Sequence, residues 1–157
     1  TQIIEGVLIV PPSKIPFINL NLINKISKIF GSQAVVVNIE AKYREGWWEC
    51  FSDNGRIPSG KNVIEWAKEV EDRGSGEILL QSIDTDGRKR GFDMDLIRNV
   101  INNVQIPVIV ASGAGSIKDI LGLIKKCNPS GIAISSILHY NDCEISEIKE
   151  SINNELS

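Results

Sequence analysis

The chain has 157 residues, a length that suits one domain. Hydrophobic residues make up 42% of it and charged residues 24%, which fits a soluble globular protein and excludes a disordered one. The formal net charge of −3 argues against a general nucleic-acid binder, which normally carries a basic excess, and no run reaches the roughly 18 apolar residues that a membrane span needs.

The first six residues, Thr1-Gln2-Ile3-Ile4-Glu5-Gly6, lack the basic start and long apolar core of a signal peptide. Cys50, Cys127 and Cys143 are odd in number and scattered. They fit neither a disulfide framework nor the close pairs of a zinc site, so they read as ordinary thiols in a reducing cytoplasm.

In chain order, Val7-Leu8-Ile9-Val10 is a weak strand, stopped by Pro11-Pro12. Leu22-Ile23, Ile26 and Ile29-Phe30 form a helical apolar stripe that ends at Gly31. The run from Ala34 to Ile39 is a strand. Trp48-Glu49-Cys50-Phe51 and Arg56-Ile57 flank Asp53-Asn54-Gly55, the signal of a hairpin on the loop that follows. Val63, Trp66-Ala67 and Val70 make a second helix, ended by Gly74. Strand-like residues 77–83 come next, then a helix carrying Leu96-Ile97, Val100-Ile101 and Val104, with Asp93 placed to cap it. Pro107-Val108-Ile109-Val110-Ala111 is the third clear strand. Ile117, Ile120-Leu121 and Ile124 form the next helix, with Ser116 and Asp119 at capping-box spacing. Gly131-Ile132-Ala133-Ile134-Ser135 is the last strand, and Ile145, Ile148 and Ile152 the last helix.

The strands are nearly continuous in apolar character, the pattern of parallel strands covered on both faces. Repeated β-then-α order implies a parallel sheet built by crossovers. Eight units of about thirty residues make a closed barrel of about 250 residues. This chain holds four clear units and part of a fifth. An open doubly wound sheet is the alternative, and local pattern does not separate the two.

In parallel β/α folds, chemistry collects at the C-terminal strand ends. Ser112-Gly113-Ala114-Gly115-Ser116 follows one strand and opens a helix. Glycines let backbone N–H groups approach an anion, and the helix dipole favours negative charge there. Ser135-Ser136 ends the neighbouring strand, so the two turns together read as a phosphate site. The plainer alternative makes Gly113 and Gly115 a tight turn only. Glu40 ends the first clear strand, with Lys42 two residues on. The acid is a candidate general acid or base, or else a rim ion pair. Asp84 and Asp86 bracket a turn before Gly87, where Asx-turn formation is their ordinary role. Arg88, Lys89 and Arg90 form a basic loop, either solvated or in contact with an anionic substrate tail. His139, the one histidine, lies past the last strand and suits a structural or capping role.

Four motifs taken together, Gly31-Ser32-Gln33-Ala34-Val35-Val36-Val37, Gly74-Ser75-Gly76-Glu77-Ile78-Leu79-Leu80, Ser82-Ile83-Asp84-Thr85-Asp86-Gly87 and Gly113-Ala114-Gly115, resemble the cyclase (synthase) subunit of imidazole glycerol phosphate synthase. They occur in that family's order and spacing, from about Asn19 to the C-terminus, and residues 1–18 are divergent. Some members of the family act instead in amidination of surface sugars. The resemblance implies an eight-stranded (βα) barrel, ammonia arriving from a glutamine amidotransferase subunit, and cyclisation of a ribulosyl aminoimidazole-carboxamide nucleotide held by a phosphate at each end. It implies two catalytic aspartates, at strands one and five. The strand-five position is Glu40 here, a longer acid, and the strand-one position has no counterpart. The C-terminal phosphate site carries over onto Gly87, Gly113 and Ser136, with Ser135 beside it. Gln81 stands where the family usually has a small hydroxyl residue, and Ser112, Asp84 and Asp86 border the same pocket.

The expected architecture is therefore α/β, a partial (βα)8 barrel of four to five units forming one domain over residues 1–157. Such an arc exposes two strand edges, which invite association. Two copies are expected to pair into a homodimer or higher homo-oligomer, or residues 1–17 to fold back over an edge. The expected function is that of a cyclase-type lyase or of a non-catalytic binder descended from one, acting on a phosphorylated small molecule. No metal, organic cofactor, nucleic acid or membrane is called for.

Overall fold

The computed structural model describes residues 21–140 and 143–156. The weak strand expected at residues 7–10 and the edge cover expected of residues 1–17 lie outside them.

Helix α1 (Asn21–Phe30) buries Ile23 and stops where the Gly31 amide donates to the Ser27 carbonyl at 2.9 Å. A short 3-10 turn, Ser32–Ala34, follows. Strand β1 (Val36–Arg44) thus starts later than the apolar run and continues well past Ile39. The amides of Ala34 and Val35 bond back to Gly31 and Ser32, which delays the extended backbone. Beyond Ala41 the strand leaves its parallel neighbour, and after Arg44 the chain turns back as β2 (Trp47–Ser52), antiparallel to β1. Strand β3 (Ile57–Asn62) pairs antiparallel with β2, with a register shift between Glu49 and Phe51. The hairpin expected as an excursion on a loop is continuous with the sheet. Pro58 and Gly60 suit β3 because it is an edge strand, where a missing N–H is harmless.

Helix α2 (Val63–Asp72) is capped by Asn62, whose side chain accepts from the Ile64 amide at 2.8 Å and the Glu65 amide at 3.3 Å. Strand β4 (Glu77–Ser82) precedes α3 (Met94–Ile101), capped as expected by Asp93 through the Leu96 amide. Strand β5 (Val108–Ala111) precedes α4 (Ile117–Cys127). There Ser116 accepts from the Asp119 amide, as the capping-box spacing predicts. Strand β6 (Gly131–Ala133) is two residues shorter than its apolar run. The chain turns at Ser135 (φ −133°, ψ −56°) into a four-residue helix, α5 (Ser136–His139), before α6 (Ile145–Leu156).

The sheet order is β3-β2-β1-β4-β5-β6, with β1, β4, β5 and β6 mutually parallel. The sheet is not closed among the described residues. Its two faces differ. Val37, Ile39, Ile78, Leu80, Val108 and Val110 point to one side and are at most 2% exposed. They share a core with Val63, Trp66, Leu96, Val100, Ile120 and Leu123 from the covering helices. Each such aliphatic side chain stabilises the fold by about 1.5–3 kcal/mol. On the opposite face Glu77, Leu79, Gln81 and Ile109 are only half-buried. The apolar run of β4 therefore hides an alternation of buried and half-buried residues. Among the described residues the expectation of cover on both faces holds for one of them, because the open arc has no strand facing its concave side.

Candidate functional site

Parallel pairing places four residues in one row across the C-terminal rim. Glu40 lies opposite Gln81, Gln81 opposite Ala111, and Ala111 opposite Ala133. The row descends in size from a carboxylate and a carboxamide to two methyl groups. A cleft of about 210 Å³ opens over the small end. Its walls are Leu79, Gln81 and Asp86-Gly87 with Lys89 on one side, and Ala111-Ser112-Gly113-Ala114 with Ala133-Ile134-Ser135-Ser136 on the other. A second cleft of about 170 Å³ opens over the large end, lined by Glu40, Asn54, Gln81, Ser82, Ile83, Asp86 and Ser112. Gln81, Asp86 and Ser112 line both, so the two clefts adjoin.

The loops around the first cleft hold one another in place. The Gly91 amide donates to the Gly113 carbonyl at 2.9 Å. Gly113 has φ +111°, and a Cβ there would sit 2.6 Å from the Gly91 carbonyl oxygen. A Cβ on Gly115 would clash with the Lys89 carbonyl oxygen. Both glycines are thus required by the close approach of the loop after β4, as well as being compatible with an anion near the backbone. The Gly115 amide is already engaged, donating to Asp119 Oδ2 at 3.2 Å. Gly115 does not line the cleft. Gly113, Gly87, Ser135 and Ser136 do line it. Ser136 is the first residue of α5, so the last wall is a helix start, where the sequence pattern reads as the end of a strand.

The acid at the other end is held by the hairpin. Glu40 Oε2 accepts from the Gly55 amide at 2.8 Å, and Asn54 beside it lines the second cleft. Lys42 lies outside both clefts. It faces Glu49 across the β1–β2 pair, with Nζ 5.6 Å from the centre of the Phe51 ring. Asp84 also turns away, and its Oδ2 accepts from the Tyr43 amide at 2.8 Å. Asp86 and Ser112 stay at the junction of the clefts. In the basic loop, Lys89 is the residue that reaches the first cleft, and its Nζ lies 4.3 Å from the centre of the Tyr140 ring. His139 lines neither cleft and meets Tyr140 edge-on at 5.1 Å. Asn54, Ala111 and Ala133 are lining residues that the sequence pattern does not single out. Asn54 arrives through hairpin geometry, and the two alanines matter for the space they leave.

Among the described residues, no group of three or more His, Cys, Asp or Glu side chains is placed to hold a metal ion. No helix among them is long and apolar enough to cross a membrane.

Comparison with known proteins bears on this rim. A family model described as a histidine biosynthesis protein matches residues 6–144. The chain belongs to this family. The match begins ahead of Asn19. Within the family, the alternating β and α units and the unclosed, mostly parallel sheet are those of a partial (βα)8 barrel. The chain is 43% identical over 131 residues to imidazole glycerol phosphate synthase subunit HisF of Pyrococcus furiosus, covering 83% of this chain and 52% of that protein. It is 42% identical over 134 residues to the subunit of the same name from Prochlorococcus marinus, covering 83% and 52%. For that of Clostridium botulinum the figures are 40% over 139 residues, 87% and 55%. The chain spans about half the length of the curated relatives it matches.

Proposed function

We propose that this chain forms the phosphate-holding side of a cyclase subunit of the imidazole glycerol phosphate synthase type, in histidine biosynthesis. The observation that carries the reading is the meeting of Gly87, Lys89, Gly113, Ser135 and Ser136 on one cleft. Backbone amides at such turns, with an ammonium group beside them, are the usual means of gripping a phosphate dianion. The rim row then sets the reacting part of the ligand one strand further along, against Glu40. Glu40 serves there as general acid or base in an ammonia-dependent ring closure, with a second such group facing it from the opposite side of the barrel. Ammonia comes from a glutamine amidotransferase subunit. Residues 1–157 act as one half-barrel domain, and a further copy completes the open sheet. A molar mass of one chain at every concentration in light scattering would refute that pairing.

Inorganic phosphate titrated against the chain, followed by 31P NMR, tests the grip. Saturable binding that weakens at least ten-fold in Ser136→Asp is the expected result, and the absence of saturable binding refutes it. Ammonia-dependent turnover of the ribulosyl aminoimidazole-carboxamide nucleotide tests the chemistry. Glu40→Ala is expected to abolish it, and unchanged turnover removes Glu40 from the mechanism.

The latch of Glu40 on Gly55 favours a second reading, that of a non-catalytic phosphate-ligand binder. One carboxylate oxygen is then committed to the fold, and phosphate binding persists with no turnover.

A further inference from the structure

A separate hollow opens on the other side of the sheet from Glu40 and Gln81. Tyr43 continues the alternation of Val37, Ile39 and Ala41, which face the helix-covered side. Trp48 is its direct cross-strand partner, so the two rings share that side and meet edge-on, with centroids 5.3 Å apart. With Asp84 after β4 and Asp93 and Asp95 at the start of α3, they line a space of about 550 Å³. None of these five residues lines either concave cleft. We propose that this hollow receives an arginine side chain presented by a partner protein.

The walls are already held in place. Trp48 packs on the core, and its Nε1 donates to Asp93 Oδ2 at 3.1 Å, while Asp93 Oδ1 accepts from the Leu96 amide. The Tyr43 amide donates to Asp84 Oδ2 at 2.8 Å, which leaves Asp84 Oδ1 without a hydrogen bond among the described residues. These neutral donors position the carboxylates and leave their charge in place. The positive end of α3 offsets part of it at Asp93. Asp95 meets Arg98 only at 3.5 Å, with both side chains well exposed, and such a pair contributes little. Among the described residues Asp84 and Asp93 pair with no Lys or Arg. The hollow therefore joins uncompensated negative charge to two aromatic rings, the combination that attracts a cation. A guanidinium suits it better than an ammonium. Its flat face stacks on a ring while its edge donates to a carboxylate, and it is the more weakly hydrated of the two. The shape points to the source. Small-molecule sites enclose most of their ligand, whereas this space has only five lining residues and leaves the Tyr43 residue 53% exposed. A side chain carried on a larger surface brings the missing cover with it.

The test titrates the peptide acetyl-Gly-Arg-Gly-amide into the full chain and follows the Trp48 indole N–H signal by NMR, assigned through its loss in Trp48→Phe. The same peptide with lysine or with uncharged citrulline, and guanidinium chloride alone, serve as comparisons. The arginine peptide is expected to bind about five-fold more tightly than the citrulline peptide, and to weaken as salt is raised. Tyr43→Leu and Asp84→Asn are each expected to weaken it about three-fold. The first removes an exposed ring, and the second keeps an oxygen for the Tyr43 amide, so one folded variant, as judged by circular dichroism, is enough to decide. Equal binding of the arginine and citrulline peptides, or no response of the indole signal, overturns the site. Equal binding of the lysine peptide overturns the choice of guanidinium. Guanidinium ion binding as tightly as the arginine peptide shows a small-ion site and overturns docking. An indole signal that moves with chain concentration alone places a second copy there and overturns the partner.

Discussion

The Glu40 carboxylate and the Gly55 amide meet at 2.8 Å, tying the rim of the parallel sheet to the tip of the β2–β3 hairpin. Gly55 has φ +77°, and a Cβ there would lie 2.8 Å from Ile83 Cγ2. The tip is thus wedged between β1 and the end of β4. Gly55→Ala is expected to cost about 1–3 kcal/mol through backbone strain and this clash. Urea unfolding measures the loss. Phosphate titration is expected to be nearly unaffected, because the first cleft does not include the tip. An unchanged unfolding midpoint refutes the wedge.

Gly113 and Gly87 make a controlled pair. Both have positive φ, but a Cβ on Gly113 meets the Gly91 carbonyl whereas one on Gly87 meets nothing within 4 Å. Gly87→Ala is expected to lose about 1–2 kcal/mol, the cost of a left-handed backbone alone. Gly113→Ala is expected to lose more, and to weaken phosphate at least ten-fold as the loop after β4 is pushed off. Equal losses in the two variants argue against the loop contact.

Glu69 supplies a pH dependence. Burial works to raise its pKa, but hydrogen bonds from Lys61 and Arg73, and their positive charges, outweigh it and hold the carboxyl below its usual 4.5. Lys61 Nζ is 2.7 Å from Oε2, and Arg73 reaches Oε1 at 2.7 and 2.9 Å. A depressed folded pKa gives stability that is present above the unfolded value and is lost as pH falls through the folded one. With solvent screening, Glu69→Gln is expected to destabilise by about 0.5–1 kcal/mol at neutral pH. The gap to wild type should close as pH is lowered through the carboxylate range. A gap that stays constant with pH shows that charge is not its cause.

The cysteines divide by burial. Burial pushes the Cys50 thiol well above its ordinary range, although Lys61 opposes the shift, and burial also raises Cys127. The thiolate is the reactive form. A thiol reagent is expected to label half-exposed Cys143 first and to reach Cys50 only when the chain unfolds. Fast modification of Cys50 in the native chain, read by peptide mass, contradicts this.

What the sequence discloses of this structure is local. Asp93 and Ser116 sit just before apolar helical stripes, so their caps are readable from neighbours three residues on. The second oxygen of Asp93, however, accepts from Trp48 Nε1 at 3.1 Å, 45 positions away, and no spacing rule reaches that far. Residues 57–60, Ile-Pro-Ser-Gly, have poor strand propensity and form an edge strand only because β2 offers them a ladder. The turns that line the first cleft are visible as glycines after strands, but the pattern does not say which amides are spent internally. Gly115 and Gly113 look alike in sequence and differ because Asp119 takes one of them. Lys42 shares the alternation of Glu40 yet falls outside the clefts, since β1 has by then left its parallel partner.

That departure also measures the open flank. Strand β1 pairs with β4 along residues 36–41, whereas β2 occupies its other edge only from Glu40 onward. Among the described residues no strand pairs with that edge of residues 36–39, a berth of roughly 13 Å, at 3.3 Å per residue, bounded above by the returning hairpin. Any strand that docks there must halt beneath Phe51, in a single alignment. The hairpin is thus a doorstop as well as a latch: it decides how far a neighbouring strand slides, and so which of its residues comes level with Glu40.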